Sequence, residues 1–307
     1  NDILISLVGQ FDQNLKYLSK LTNTNVFFRG NSITCKGRRE NTSVFCDAIK
    51  FLINKHLITN IIEKEDIVLS VKKNINFEAS NVKTFKQLIK TPRKSVIARS
   101  EKQSDYIKSL KENDIVMALG PAGTGKSWLA VALAVSAMQK GEVDRIILTR
   151  PLVEAGERVG FLPGDLMAKV DPYLKPLYDA LFEMLDHETA TRLLDRGQIE
   201  VAPLAFMRGR TLSNAFVILD EAQNTSPEQM KMFLTRMGRS AKFVVTGDMT
   251  QVDLPNHQKS GLRHSLDLLN DVSGIGVVYL DQKDVIRHKL VMKIIQAYKQ
   301  EQTIKEK

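Results

Sequence analysis

Cysteine is almost missing from this chain of 307 residues: there are two, Cys35 and Cys46, too few and too oddly placed for a disulfide framework or a four-ligand zinc site. The five histidines are scattered, so no structural metal is expected. No apolar run approaches the roughly 18 residues of a membrane span, and the opening residues lack the charged-then-apolar pattern of a signal peptide. Internal repeats and low-complexity tracts are absent as well. These absences exclude a disulfide-stapled secreted scaffold and a membrane protein, and they fit a cytoplasmic chain in a reducing environment.

What is present is ordinary globular material, 43% hydrophobic and 26% charged, enough for one large domain and one small one. The formal charge is +9. It is unevenly spread: residues 1–94 carry 16 Lys and Arg against 8 Asp and Glu, whereas residues 95–307 are almost balanced at 28 against 27. A basic first third is either a solvated face or a surface for a phosphate backbone.

Along the chain, Leu15, Leu18 and Leu21 mark a short helix, residues 25–29 and 32–36 read as a hairpin, and residues 44–53 as a second helix. From Asn74 to Arg99 the text turns polar and basic, with Lys83, Lys86, Lys90, Arg93 and Lys94 around Pro92, and reads as a linker. Beyond it, apolar runs at 115–119, 146–149, 199–202, 216–219, 242–246 and 275–280 alternate with helical stretches. That rhythm implies an α/β fold with a parallel sheet covered on both faces. The division is 1–75 for a small α+β module, 76–98 for a basic linker and 99–307 for the large domain.

Gly120, Pro121, Ala122, Gly123, Thr124, Gly125, Lys126 and Ser127 spell G-x-x-x-x-G-K-[ST] between a predicted strand and a predicted helix. In that setting the loop backbone and the helix N-terminus face the phosphates of a nucleotide. Lys126 reaches the β- and γ-phosphates, and the Ser127 hydroxyl binds Mg²⁺. A second Mg²⁺ anchor belongs at the end of a buried strand, where FVILDEAQ delivers Asp220 for the metal and Glu221 to polarise the attacking water. The next strand ends in GDMTQ, which offers Asp248 as support for the metal or water shell and Gln251 as a γ-phosphate sensor; a plain loop glutamine is the alternative.

GPAGTGKS, LTRP (148–151), DEAQ and GDMTQ, in this order, resemble the PhoH-like ATPases, close to the RecA-like N-terminal core of superfamily-one helicases. EAGERVGFLPGD (154–165), RGRTL (208–212) and DEAQN (220–224) make the resemblance specific to PhoH-like proteins over about residues 95–300. The resemblance implies ATP with Mg²⁺ as cofactors. It matches Gln103 to the glutamine that reads adenine in helicase-like cores, with an exposed helix glutamine as the alternative. It places Thr149 and Arg150 where relatives touch a nucleic-acid backbone. The loop 151–165, longer than the usual connection of about 4–6 residues and holding Glu154, Glu157 and Arg158, reads as lining either an RNA path or a subunit interface. The lack of an N-K-x-D sequence after the core strands favours ATP over GTP.

The rhythm of residues 4–53, an apolar lead-in, a Gly turn, a helix, two strands and a helix, resembles a KH RNA-binding domain. The clamp loop departs from the pattern, since Gly9, Gln10, Phe11 and Asp12 put an acid where GXXG has its second glycine. A carboxylate there repels phosphate. Arg29, Lys36, Arg38 and Arg39 could still attract RNA without sequence preference.

Two function classes compete. One is an RNA-coupled ATPase, a helicase-type motor; the other is a module whose ATP state regulates a partner, such as an endoribonuclease of the YbeY family or a ribosome-associated factor. A small-molecule kinase is a third reading, without a recognisable acceptor segment. Only about 55 residues follow Gln251, too few for a second RecA lobe. An arginine finger is therefore expected from a neighbour in a ring, and the resemblance implies a hexamer. Arg287 is the first candidate and Arg236 the second; either could instead cap a helix or pair with a carboxylate.

Overall fold

The structure is a computed structural model, and it describes residues 2–30, 32–59, 62, 64–73, 88–152, 166–255 and 259–285. The chain divides into two compact units, Asn1–Lys86 and Gln87–Lys307.

The first unit runs α1 (Asp2–Val8), α2 (Gln13–Thr22), β1 (Asn25–Arg29), β2 (Ser32–Lys36), α3 (Arg39–Thr59) and α4 (Lys64–Lys73). β1 and β2 form the antiparallel hairpin expected from sequence, with Val26 opposite Cys35 and Phe28 opposite Ile33. Its core gathers Leu7, Leu15, Leu18, Phe45, Ala48, Leu52 and Ile67, with Val26, Ile33 and Cys35 packed against it. Alternation in the hairpin therefore leaves Phe27, Arg29 and Lys36 on the outer face. The lead-in before Gly9 is a helix, so the Gly9–Asp12 turn joins two helices. Gly9, Phe11 and Asp12 all take positive φ there, 72°, 53° and 61°, and Phe11 is 79% exposed.

The second unit opens on a hairpin, β3 (Leu88–Lys90) and β4 (Ser95–Ile97). This corrects the expected linker: its first part, 76–87, lies outside the described residues, but its end folds with the large domain. Ile89, Val96 and Ala98 are buried in the main core. The lysines and the proline of this stretch dominate its composition, while three apolar side chains decide its placement.

There follow α5 (Glu101–Glu112), β5 (Ile115–Leu119), α6 (Lys126–Gln139), β6 (Arg145–Arg150), α7 (Leu166–Met184), α8 (His187–Asp195), β7 (Ile199–Pro203), β8 (Ala215–Leu219), α9 (Pro227–Leu234), β9 (Lys242–Gly247), α10 (Gly261–Leu269) and β10 (Ile275–Tyr279). Six strands pair in the order β10-β5-β9-β8-β6-β7, all parallel. They are short and apolar on both faces, as strands sandwiched between helix layers must be. One layer contains α6 and α7, and its core includes Leu129, Leu133, Ile146, Ile218 and Val244; the other contains α9 and α10 over Met117, Val217, Phe233 and Phe243. This is the α/β, RecA-like P-loop architecture expected from sequence. β9 lies between β5 and β8, so the strand feeding the Gly-rich loop is separated by one strand from the strand that ends in the carboxylates.

Candidate nucleotide site

The Gly-rich loop leaves β5 and returns into α6 with Gly120, Gly123 and Gly125 at φ of 150°, 85° and 83°, a path that side chains resist. At Gly120 space is also closed: a Cβ would stand 2.4 Å from the Leu280 carbonyl oxygen. Gly125 caps α6 in the left-handed conformation, so the first amides of that helix open towards the loop. Lys126 is buried, and its ammonium donates to the carbonyls of Gly120 at 2.6 Å and Pro121 at 2.9 Å.

The carboxylates sit across the sheet from this loop, and β9 supplies the bridge. Asp220 Oδ1 accepts from the Ser127 hydroxyl at 2.5 Å and from the Thr246 hydroxyl at 2.7 Å, while Oδ2 accepts from Arg150 Nη2 at 2.6 Å. Burial alone would raise the Asp220 carboxyl. The Arg150 charge and the hydrogen bonds from Ser127, Arg150 and Thr246 together outweigh it and hold the group below the usual aspartate range. Glu221 follows at φ 54°, a left-handed conformation uncommon outside glycine, and this turns its side chain into the cleft, where it is 42% exposed.

Asp248, at the end of β9, is the other hub. Its Oδ1 accepts from the Thr250 amide and hydroxyl, and its Oδ2 accepts from the Ala122 amide at 3.2 Å and from Gln251 Nε2 at 2.5 Å. Here too burial pushes the carboxyl up, and the Thr250 and Gln251 hydrogen bonds with the Lys126 charge bring it below the usual range. Sequence reasoning gave no role to Gln223. It is buried, donates to Glu221 Oε2 at 2.6 Å and accepts from the Asp248 amide at 3.1 Å, tying the two strand ends together.

Lys126, Ser127, Asp220, Glu221, Asp248 and Gln251 line one cleft of about 370 Å³. Its outer wall is Trp128 on α6 with Pro176, Leu177 and Ala180 on α7. Trp128 Nε1 donates to Glu183 at 2.9 Å, and Lys94 reaches the same carboxylate while lying 5.3 Å from the indole centroid. The donor set suits a hard cation. A hydroxyl and a carboxylate from opposite sides of the cleft are already in contact, and Mg²⁺ at such sites takes its remaining ligands from phosphate and water. The described residues hold no cluster of three or more His, Cys, Asp or Glu that could hold a metal ion.

Other expected residues fall elsewhere. Gln103 lies against the loop but outside the cleft lining, and it is buried, not exposed on its helix. Its Oε1 accepts the Arg99 amide and its Nε2 donates to the Thr124 carbonyl, so the amide braces the loop from α5. Arg150 is turned into the cleft onto Asp220, away from the surface where a nucleic-acid backbone was expected. Arg236 donates to the carbonyls of Met232 and Arg210 and thereby caps the end of α9, the bland alternative to a finger. In RGRTL, Arg210 forks onto Glu200 at 2.6 and 2.7 Å and pins the turn to β7. Arg287, the stretch 154–165 and Lys83 and Lys86 lie outside the described residues. No described helix is long and apolar enough to cross a membrane.

A family model described as PhoH-like protein matches residues 95–299. A PhoH-like protein of Synechocystis is 47% identical over 300 residues, covering 96% of this chain and 90% of its own. One of Bacillus subtilis is 47% identical over 303 residues, covering 97% and 94%. Protein PhoH of Escherichia coli is 43% identical over 205 residues, which are 66% of this chain and 58% of that one. Among solved structures, the SWI2/SNF2 ATPase core of Sulfolobus solfataricus matches over 48% of this chain and 31% of its own at 17% identity and a TM-score of 0.33. The Gly-rich loop, the carboxylates at the end of β8 and the match over nearly the whole chain agree: this protein belongs to the PhoH-like family.

Proposed function

We propose that the cleft binds ATP with Mg²⁺ and hydrolyses it, and that hydrolysis is coupled to RNA binding or remodelling. The observation that carries the chemistry is the 2.5 Å contact between Ser127 Oγ and Asp220 Oδ1, with Glu221 opening into the same cleft. Lys126 would leave the loop carbonyls for the terminal phosphates, a stronger, charge-assisted partner. Bound Mg²⁺ would neutralise charge on the β- and γ-phosphate oxygens. Glu221, held by Gln223, takes a proton from water as the water oxygen bonds to the γ-phosphorus; the bond from that phosphorus to the bridging oxygen breaks, and ADP leaves with the electron pair. Gln251, anchored on Asp248, would sense the γ-phosphate. A role for Gln103 in reading adenine requires one of its two backbone hydrogen bonds to be given up.

RNA coupling rests on the basic excess of residues 1–94 and on the outer face of the β1–β2 hairpin, where Phe27 lies beside Arg29 and Lys36. Phosphate release from ATP and GTP, with and without single-stranded RNA, tests the reading. Several-fold stimulation by RNA supports the motor. Stimulation only by a protein partner, such as a YbeY-family endoribonuclease, transfers the function to a regulatory module. A homo-oligomeric ring, a hexamer, would supply Arg287 from a neighbour; mixing Arg287→Ala with Lys126→Ala chains then restores turnover through hybrid interfaces, and concentration-independent turnover by a monomer rejects it.

A further inference from the structure

Arg150 is the last residue of β6, one strand over from the carboxylates, and its side chain is only 17% exposed. Its Nη2 lies 2.6 Å from Asp220 Oδ2 and 3.6 Å from Glu221 Oε1, and its Nη1 donates to the Tyr173 carbonyl on α7 at 3.1 Å. The buried Nε of Arg150 has no hydrogen-bond partner among the described residues. A guanidinium whose sole task was to brace the fold would be expected to have this donor matched.

From this arrangement we infer that Arg150 is a catalytic arginine supplied from within the chain. It stands in for the divalent cation at Asp220 Oδ2, and moves onto the terminal phosphate when nucleotide and cation fill the cleft. The inference rests on the ATP-hydrolysing reading of the site. Asp220 has two oxygens: Oδ1 is engaged by Ser127 and Thr246, and Oδ2 by Arg150. A divalent cation beside Ser127 and Asp220 puts a second positive centre a few ångströms from the guanidinium, and like charges at that distance in a partly buried site repel strongly. The guanidinium is then displaced along the cleft it already lines, towards Glu221 and the space in front of Lys126. Its planar fork matches phosphate oxygens in a way an ammonium does not. Charge on the γ-phosphoryl oxygens as the bridging bond breaks is what an arginine at this place stabilises.

Trp128, the sole tryptophan of the chain, lines the same cleft and reports on it independently of turnover. Its fluorescence is titrated with Mg²⁺ at a fixed concentration of a β,γ-imido ATP analogue, in the wild type, Arg150→Gln and Arg150→Lys. Without its competitor, Asp220 binds the cation more readily, so the Mg²⁺ midpoint of Arg150→Gln falls several-fold, while kcat drops by about 10³ with a much smaller change in KM. Arg150→Lys keeps the charge but loses the fork, so its Mg²⁺ midpoint stays near that of the wild type while kcat falls in the same direction; should Arg150→Gln not fold, the kcat of this variant decides. An unchanged or raised midpoint in Arg150→Gln, or near wild-type kcat in either folded variant, overturns the inference and leaves Arg150 as a brace. Lys126→Ala runs alongside. If wild-type phosphate release does not depend on Lys126, the ATPase reading itself has failed, a result distinct from any Arg150 outcome.

Discussion

Gln223 donates from Nε2 to Glu221 Oε2 at 2.6 Å, and this hydrogen bond fixes the direction of a carboxylate that is 42% exposed in the cleft. Because Gln223 Oε1 also accepts the Asp248 amide, the side chain spans the ends of β8 and β9. Gln223→Leu should keep nucleotide affinity within a few-fold and lower kcat by about 10²-fold, part of the 10²–10⁴ that a positioned general base contributes. Parallel measurement of analogue binding and turnover checks it; a loss of affinity equal to the loss of kcat would mean that Gln223 only holds the fold.

Lys126 and Glu221 should separate binding from chemistry. Lys126→Ala is expected to abolish nucleotide binding or turnover. Glu221→Gln leaves the Gly-rich loop and Asp220 untouched, so ATP still binds while hydrolysis falls by about 10²–10⁴. Equilibrium binding beside single-turnover hydrolysis distinguishes them, and near-normal hydrolysis by Glu221→Gln would remove that residue from its role.

Gly120 tests the loop without altering any functional group. A methyl at this position meets the Leu280 carbonyl at 2.4 Å and a backbone φ of 150°. Gly120→Ala should cost about 1–3 kcal/mol of stability, seen as a lower melting temperature, and should weaken nucleotide binding because the loop must shift. Gly141, also at positive φ but with nothing near its Cβ, serves as the control for backbone strain alone.

Asp220 and Asp248 make stability acid-sensitive. Both have folded pKa values below the ordinary aspartate value of 3.8, so their contribution is fully present above that value and is lost as pH falls through the lower, folded one. Melting temperature should therefore drop steeply below about pH 4. Asp248→Asn should flatten part of that limb, and an acid profile identical to wild type would show that the Asp248 hydrogen bonds contribute no pH-linked stability.

RNA affinity, if it resides in the basic first third, should fall steeply with salt as counterions cease to be released. Arg29→Glu combined with Lys36→Glu should weaken binding of single-stranded RNA and reduce the salt slope by about 2 while basal ATPase is unchanged. Asp12→Gly is the complementary probe: stronger binding supports a phosphate clamp at the Gly9–Asp12 turn. Indifference to both changes would put the RNA surface elsewhere.

The sequence alone determined the parts that are local. GPAGTGKS must form a phosphate-binding loop wherever a buried strand precedes it and a helix follows, because its spacing and its glycines specify backbone path and cation placement within eight residues. The strands were legible for a similar reason: runs such as FVIL and FVV are apolar on both faces, and such runs are stable between helix layers. Only tertiary structure could decide what depends on contacts distant along the chain. Gln103 reads as an exposed helix glutamine or an adenine reader, and becomes a buried brace because Thr124 is folded against it. Residues 88–98 read as linker because lysine and proline set the composition, yet Ile89 and Val96 fill the core beside α6. Arg150 reads as a surface phosphate grip, but the insertion of β9 between β5 and β8 brings Ser127, Thr246 and Asp220 to one point and leaves Asp220 Oδ2 open to the arginine ending the adjacent strand. Composition and spacing carry the chemistry of each side chain; strand order decides which charges meet, since Coulomb and hydrogen-bond energies depend on distances in space that sequence separation does not encode.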